Sequence, residues 1–498
     1  MTTWLRRLRQ NFDSLSPASR LVSVLVLLLI FLMAARTPLD PDMWWHLRAG
    51  QETWENAAPY TVDTLSYTRA GAVWVNHSWL GQLSLYLSYR WGGFFGVSLW
   101  VAALAVLSMA VLLMQMDGPF GLRAALLVLG SLVAATTWAP RPQMFTLLFL
   151  PILQALITHA KTTGRDRFWL LPPFFLFWSN LHGGYSAGIL FLAAILAGEV
   201  LNHLLDPSSP LTLSWPRLGR LAGWSGLSLL AVLVNPNGLN TWLIPFQTLD
   251  VSVAEIDEWF SPNFHNLNEQ PMLWLLMLTL FALALANRRA DGGDLLAVIG
   301  FGALALMAKR GFGPFAVVAL PPLSRALWSA WRAAPRLKSL LARFQSPPTP
   351  QAPWQKAVNL TLVGLIAAAA WAKAGVVSHP TAVQIYTAQQ YPTRAVAWLA
   401  AQPHSGHLLN SYNWGGYLTW AYPQQPVFID GRADLFGNQI MGEWLTLVRT
   451  QPGWEDLLKK WDIRWVLLEN GTPLVNALQT RGWPIRYHDA QAVILEHP

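Results

Sequence analysis

Leu21-Val22-Ser23-Val24-Leu25-Val26-Leu27-Leu28-Leu29-Ile30-Phe31-Leu32-Met33-Ala34-Ala35-Arg36 carries no charge until its last residue. Coiled as a helix at about 1.5 Å per residue, such a run approaches the depth of a bilayer core. It reads as a first membrane span, roughly 21–36. Arg6, Arg7, Arg9 and Arg20 precede it, which places the N-terminus on the cytoplasmic side. No small-residue cleavage site follows it, so the run is a retained anchor. Outward from it, apolar runs recur at roughly 94–116, 122–138, 144–159 and 187–204, then at 314–330 and 355–376. Others end near Trp178, Val234, Arg288-Arg289 and Ala308. Short loops with Arg123, Lys161, Arg165, Arg167, Arg217 and Arg220 separate alternate pairs. The pattern predicts about eleven transmembrane helices with the N-terminus inside and the C-terminus outside.

Composition agrees. The 498 residues are 53% hydrophobic and 12% charged, against about 25% charged in soluble domains. Trp occurs 28 times, as suits a residue that favours membrane interfaces. The net charge of +8 sits in short loops between apolar runs, so the positive-inside bias explains it better than nucleic-acid binding. The absence of cysteine excludes disulfides, thiolate metal sites and Cys nucleophiles. There is no Walker loop, no zinc helix of the His-Glu-x-x-His type and no Gly-x-Ser-x-Gly elbow.

The chain thus divides into a membrane domain, 1–376, with long outer loops at 37–93 and 235–270, and a soluble extracytoplasmic domain, 377–498. A Pro-rich linker, Ser346-Pro347-Pro348-Thr349-Pro350, precedes the last span. The soluble part reads as a small α/β domain. Its expected strands are His407–Asn410, Pro426–Asp430, Ile463–Glu469 and Ala492–Glu496, with helices over Asn438–Thr450 and Trp454–Trp461.

The polar motifs gather on the outer side. The first loop opens Asp40-Pro41-Asp42-Met43-Trp44-Trp45-His46-Leu47-Arg48 and later carries Asp63 and Asn76-His77-Ser78-Trp79. Carboxylates at a membrane surface suit a divalent cation, and His and Arg suit phosphate. Arg141, His182 and Lys309-Arg310 stand at other outer span ends. Cations there oppose the positive-inside bias, which favours an anion as their partner, although snorkelling alone would also account for them. Glu255, Asp257, Glu258 and His265 lie in the second loop. There Glu258 is a candidate for orienting an acceptor or holding a metal, the alternative being a solvated acidic loop. In the soluble domain, Asn413-Trp414-Gly415-Gly416-Tyr417 offers aromatics to stack on a sugar or acceptor. Asp430-Gly431-Arg432 follows an apolar stretch, and a turn closed by an internal Asp–Arg pair competes with a binding role there.

Asp42-Met43-Trp44-Trp45-His46-Leu47-Arg48 resembles the Asp–x–aromatic–aromatic–Asn/His–x–Arg motif of oligosaccharyltransferase catalytic subunits. These are GT-C glycosyltransferases, polytopic enzymes that use lipid-phosphate-linked sugars on the non-cytoplasmic side. The resemblance implies a GT-C-like fold and a catalytic role for Asp42, ahead of Asp40. Glu258 resembles that family's outer-loop glutamate by placement and a neighbouring Ser261. Trp414-Gly415-Gly416-Tyr417 is similar to its Trp-Trp-Asp-Tyr-Gly motif but lacks the Asp, so recognition of a peptide sequon is not implied. The chain also resembles a group of bacterial polytopic membrane proteins that share the opening motif and the Asp-Gly-Arg segment.

The expectation is a plasma-membrane glycosyltransferase that moves a sugar from a polyprenyl-phosphate donor to an acceptor glycan, lipid or protein. Asp42, Glu258 and Asp40 are the expected catalytic residues, with a divalent cation (Mg or Mn) at Asp42 and Glu258. Arg141, His182, Arg310, His46 and Arg48 are expected on the donor phosphate, and Trp414, Tyr417, Asp430, Arg432 and His77 on the acceptor. A transporter or flippase of a lipid-linked glycan is the first alternative. It calls for polar groups along both halves of a path, whereas the inner halves of the spans read as almost wholly apolar. A non-catalytic assembly subunit is the second.

Overall fold

The computed structural model describes residues 17–206, 211–244, 257–287, 289–334 and 352–498. Glu255, Arg288, the Pro-rich linker and the N-terminal arginines Arg6, Arg7 and Arg9 lie outside these. A helix stands at every predicted span, from Pro17–Ala34 to Pro353–Val377. Among the described residues, four are long and apolar enough to cross a membrane: Trp79–Gln115, Gln143–Thr163, Tyr185–Leu205 and Pro353–Val377. The other apolar helices are shorter, so the count of about eleven crossings remains a sequence-based expectation.

The helices pack around Phe312–Ala333. Phe312, Phe315, Ala316, Val317, Val318, Ala319, Leu320 and Leu323 are all buried along it, whichever face they occupy. A helix apolar all round is covered all round, here by protein. One prediction from the apolar runs fails at the end of the bundle away from Arg141. Gln143–Thr163 runs from Arg141 to Lys161, and there Lys161 pairs with buried Glu199 and, at 2.6 Å, with Asp291. The helix ends on that side are therefore not wholly apolar.

The first loop is more ordered than a loop. Met43–Glu55 is a helix, and the long Trp79–Gln115 helix begins well before the expected span. Gly93, at φ 56°, breaks that helix in a backbone region that only glycine enters cheaply. The portion beyond it, 94–115, matches the predicted span.

The C-terminal domain holds a four-stranded sheet of β1 (His407–Asn410), β2 (Ile463–Glu469), β3 (Ile485–His488) and β4 (Ala492–Glu496), in the order β1-β2-β4-β3. β1 and β2 are parallel; the other pairs are antiparallel. β3, four residues long and mostly exposed, is not among the expected strands. Pro426–Asp430 is not a strand of this sheet. Its Val427 exchanges backbone hydrogen bonds with Leu65 and Tyr67 of the first loop. An apolar stretch flanked by turns reads alike whether it pairs with a sheet or with a distant loop. The consequence is a stitched junction. Thr68 donates to Phe428 O at 2.5 Å, Arg69 to Phe436 O at 2.8 Å, and the Trp74 indole to Asp434 at 2.9 Å.

Candidate active site

Asp42 occupies the N-cap of Met43–Glu55 yet makes no capping bond. Its carboxylate turns outward instead: Oδ1 accepts from the Trp45 indole N–H at 3.0 Å, and Oδ2 meets Arg141 Nη1 at 2.8 Å. Arg141, in the turn before Gln143–Thr163, grips Asp40 in bidentate fashion, Nε to Oδ1 at 2.5 Å and Nη2 to Oδ2 at 2.9 Å. Its Nη1 also reaches Glu258 at 3.1 Å. The three expected catalytic carboxylates, from two loops far apart in sequence, thus converge on one guanidinium. Arg141 itself was expected on the donor phosphate; it is held by acids.

The electrostatics follow from this crowding. Burial works against the charge on Arg141, but Asp40, Asp42 and Glu258 outweigh it and hold its pKa well above the ordinary value. Asp42 is pushed up to about 7, first by desolvation, then by Asp40 and Glu258, with Arg141 opposing.

Beside this cluster stand three imidazoles. His46 lies over Trp45, ring centroids 3.6 Å apart, and His77 and His182 meet edge to face at 6.0 Å. All three have pKa values below the ordinary one, chiefly through desolvation, helped for His46 by Arg141 and for His182 by His77 and Arg310. They are neutral at pH 7. For His182 the tautomer can be assigned. The Gly184 backbone N–H donates to Nδ1 at 3.0 Å, so that nitrogen is an acceptor. The Trp178 indole donates to Thr146 Oγ1 at 3.1 Å, and Thr146 stands 2.8 Å from the same Nδ1. The ring proton therefore sits on Nε2, where it can be donated to an oxyanion. Thr146 and Trp178 were not anticipated; as ordinary-looking members of apolar runs they leave no mark in the sequence. His46 Nδ1 is buried and makes no hydrogen bond.

Arg310 stacks on Trp259, its guanidinium carbon 4.0 Å from the ring centroid. Among the described residues no carboxylate lies within ion-pair distance of it. Lys309, its neighbour, is engaged by Asp257 at 2.6 Å. Among the described residues, Arg310 is thus the cation at this site left to meet an added anion, facing the fields of Glu258, Arg141 and Asp42.

Five expected residues fall elsewhere. Asp430 and Arg432 are fully buried. Arg432 binds Asp430 through Nε and Nη2, the latter at 2.7 Å, and Asp63 through Nη1 at 2.6 Å. Every nitrogen of that side chain is engaged by an acid, and with no exposed surface it has no access to an acceptor. Trp414 is buried, and Tyr417 stacks on Tyr391 and packs edge-on to Trp44; both serve the packing between the two domains. Arg48 pairs with Glu52 at 2.6 Å and lines a separate cavity. Each has the residue type of a binding group, and only its packing reveals another use.

A divalent cation, implied by the family resemblance, does not fit this donor set. Each carboxylate expected to ligate it spends an oxygen on Arg141, and no group of three His, Asp or Glu among the described residues is arranged to hold a metal.

The Asp-Gly-Arg turn closes the floor of the site. A Cβ on Gly431 would lie 1.9 Å from Asp42 Oδ1 and 2.8 Å from Trp45 Nε1. Gly431→Ala is therefore expected to displace the Asp42 carboxylate and to cost about 1–3 kcal/mol in stability by overpacking. Thermal unfolding in detergent measures the second effect. An unchanged melting temperature would mean that the contact is not tight.

No family model matches the chain, and no curated protein matches it in sequence. Solved structures do. The Archaeoglobus fulgidus oligosaccharyltransferase in its apo form is similar over 90% of this chain and 69% of its own, with TM-score 0.56 and 12% identity. Archaeal oligosaccharyltransferase AglB from the same organism, in complex with an inhibitory peptide and a dolichol-phosphate, matches over the same shares at TM-score 0.55 and 11% identity. ArnT from Cupriavidus metallidurans bound to undecaprenyl phosphate matches over 95% of this chain and 97% of its own, at TM-score 0.47 and 14% identity. At such identities the likeness to the two oligosaccharyltransferase structures concerns the fold alone, which is GT-C-like, as the Asp42–Arg48 motif implied.

Proposed function

We propose, from the premise of a GT-C-like fold, that the chain is a membrane glycosyltransferase. It takes a sugar from a polyprenyl-phosphate donor and passes it to an acceptor on the non-cytoplasmic side, with its N-terminus cytoplasmic. The observation that carries this reading is the division of the site into two halves: an acid cluster organised by Arg141, and a cradle of Arg310 with three neutral imidazoles.

The donor phosphate lies against Arg310 and the Nε2–H of His182, with His46 alongside, and His77, expected on the acceptor, joins them because it stands beside His182 and Arg310. Asp42 takes the proton of the acceptor, the acceptor atom bonds to the anomeric carbon, and the carbon–oxygen bond to phosphate breaks. Arg310 and the imidazole N–H groups stabilise the charge that grows on the leaving phosphate, a gain made in the transition state. Arg141 holds Asp42, Asp40 and Glu258 in place and keeps part of the carboxylate ionised. A carboxyl group with a pKa of about 7 is well matched to general-base work near neutrality.

The test uses purified protein in lipid, a polyprenyl-phosphate sugar and a membrane extract as acceptor source, with release of polyprenyl phosphate as the readout. Asp42→Asn is expected to slow release by about 10²–10⁴-fold, the usual worth of a general base, while the protein still folds. Wild-type release is expected to rise with pH through about 7 as Asp42 loses its proton, and Asp42→Asn to lack that limb. Stability runs the other way. The folded-state pKa lies above the ordinary carboxylate value, so the contribution of Asp42 is fully present below that value and is lost as pH rises through about 7. Undiminished release by Asp42→Asn would end the assignment.

A further inference from the structure

A second cavity, of about 440 Å³, opens on the far side of Met43–Glu55 from the acid cluster. Its walls come from three elements: Arg48 and Gln51 of that helix, Tyr86, Tyr89 and Arg90 of the long helix before its break at Gly93, and Trp420 of the C-terminal domain. None of the residues around Arg141 contributes to it.

Its chemistry is that of an anion site with an aromatic wall. Arg90 lies over Trp54, its guanidinium carbon 5.3 Å from the ring centroid, and no carboxylate among the described residues is within ion-pair distance. Arg48 pairs with Glu52 at 2.6 Å and bonds Gln51, yet its Nε is buried without a hydrogen-bond partner. Tyr89 and Trp420 pack edge to face, centroids 5.1 Å apart, and no hydrogen bond ties the Tyr89 hydroxyl to any described residue. Two guanidiniums and no carboxylate line the cavity; Glu52 pairs with Arg48 and Glu55 accepts from Gln51, while Arg90 and the Arg48 Nε–H keep donors to spare.

Its height along the molecule says what kind of anion. Beyond Gly93 the long helix is apolar from Phe94 to Gln115, about 33 Å at 1.5 Å per residue and so the depth of a bilayer core. Arg90 lies three residues before the break at Gly93, beside the outer end of that stretch, where Ser88 packs against Gly96. Trp91, 75% exposed, and Trp54, 43% exposed, flank it, as aromatics do at the headgroup level. Arginine at this level meets lipid phosphate.

We propose that this cavity binds the phosphate headgroup of a lipid in the leaflet on the side of the active site, as a site separate from that for the sugar donor. Arg90 and Arg48 hold the phosphate oxygens, Tyr89 donates to them, and Trp420 covers the glycerol or sugar part of the headgroup. The lipid then bridges the first loop and the C-terminal domain at the membrane surface.

Native mass spectrometry of the delipidated full chain tests this, with phosphatidylglycerol, phosphatidylcholine and inorganic phosphate as probes. One phosphatidylglycerol per chain is expected to be held at least tenfold more tightly than phosphatidylcholine. Arg90→Gln is expected to reduce that preference to the level of phosphatidylcholine, and Arg48→Gln to weaken it; the second variant covers the case in which the first does not fold. Equal retention of the two lipids by the wild type, or a preference that both variants keep, overturns the proposal. Inorganic phosphate held as well as phosphatidylglycerol, and lost in the variants, overturns the lipid assignment in favour of a free anion. The readout is binding alone, so failure of the proposed transfer reaction does not affect it.

Discussion

Arg141→Met is expected to lose transfer activity at least as completely as Asp42→Asn, and to lose stability as well. The guanidinium meets Asp40, Asp42 and Glu258 at 2.5–3.1 Å. Without it, three carboxylates face one another with no cation between them. Removing one partner from a buried pair costs about 3–5 kcal/mol. Here the lower end applies, because the acids keep some surface, 14% for Asp40 and 22% for Asp42, and water and protons can replace part of what is lost. The acids respond by binding protons. Arg141 is what opposes the upward push of burial on Asp42, so the pKa of that residue climbs further and the base is neutral at pH 7. The pH–rate curve of any residual activity is therefore expected to shift to higher pH, an effect that a merely unstable variant would not show. The same change frees a set of hard oxygen ligands, suited to a divalent ion. Manganese titration followed by electron paramagnetic resonance is expected to find a bound ion in Arg141→Met and none at this position in the wild type. Stoichiometric manganese binding by the wild type would refute the view that Arg141 stands in the place of a metal.

Arg432→Met is expected to have the largest effect on folding, with little on the chemistry itself. Arg432, Asp430 and Asp63 have no exposed side-chain surface. Arg432 also packs near Trp74 and Phe436, 5.2 Å and 5.7 Å from their centroids. The substitution keeps much of the volume and strands two buried carboxylates. The cost is about 3–5 kcal/mol, and it falls on the junction between the first loop and the C-terminal domain. Thermal unfolding in detergent measures it. Adding Asp430→Asn and Asp63→Asn is expected to return part of the loss, since neutral amides are cheaper to bury than unpaired ions. A melting temperature unmoved by Arg432→Met would show that the triad contributes nothing net. Arg432→Lys is not expected to rescue, because a single ammonium cannot reproduce the fork that holds both acids.

These two arginines show what could and could not be read in advance. Residue type and position mark both as binding groups. Arg141 stands at the acid cluster as the partner of three carboxylates, two of which, Asp42 and Glu258, were expected to hold a metal. Arg432 closes a turn that was the competing reading of Asp430-Gly431-Arg432. An ion pair between residues 101 positions apart, Asp40 and Arg141, or 369 apart, Asp63 and Arg432, leaves no local pattern. Nothing near either residue says which partner will be brought to it.

What the chain announces locally, it announces well. An apolar run of given length specifies a helix wherever it lies, because backbone groups in an apolar setting must bond within their own segment; helices accordingly stand at every expected place, Leu21–Arg36 included. His182 and Arg310 were legible as polar groups at the ends of such runs, and Asp42 and Glu258 as acids in the two long outer loops. The tertiary structure decided the rest: which carboxylate meets which guanidinium, that His182 carries its proton on Nε2, that Trp414 and Tyr417 face protein, and that Arg48 belongs to a second cavity. Each depends on distances between segments remote in sequence, and electrostatic and hydrogen-bond energies are set by those distances, not by composition.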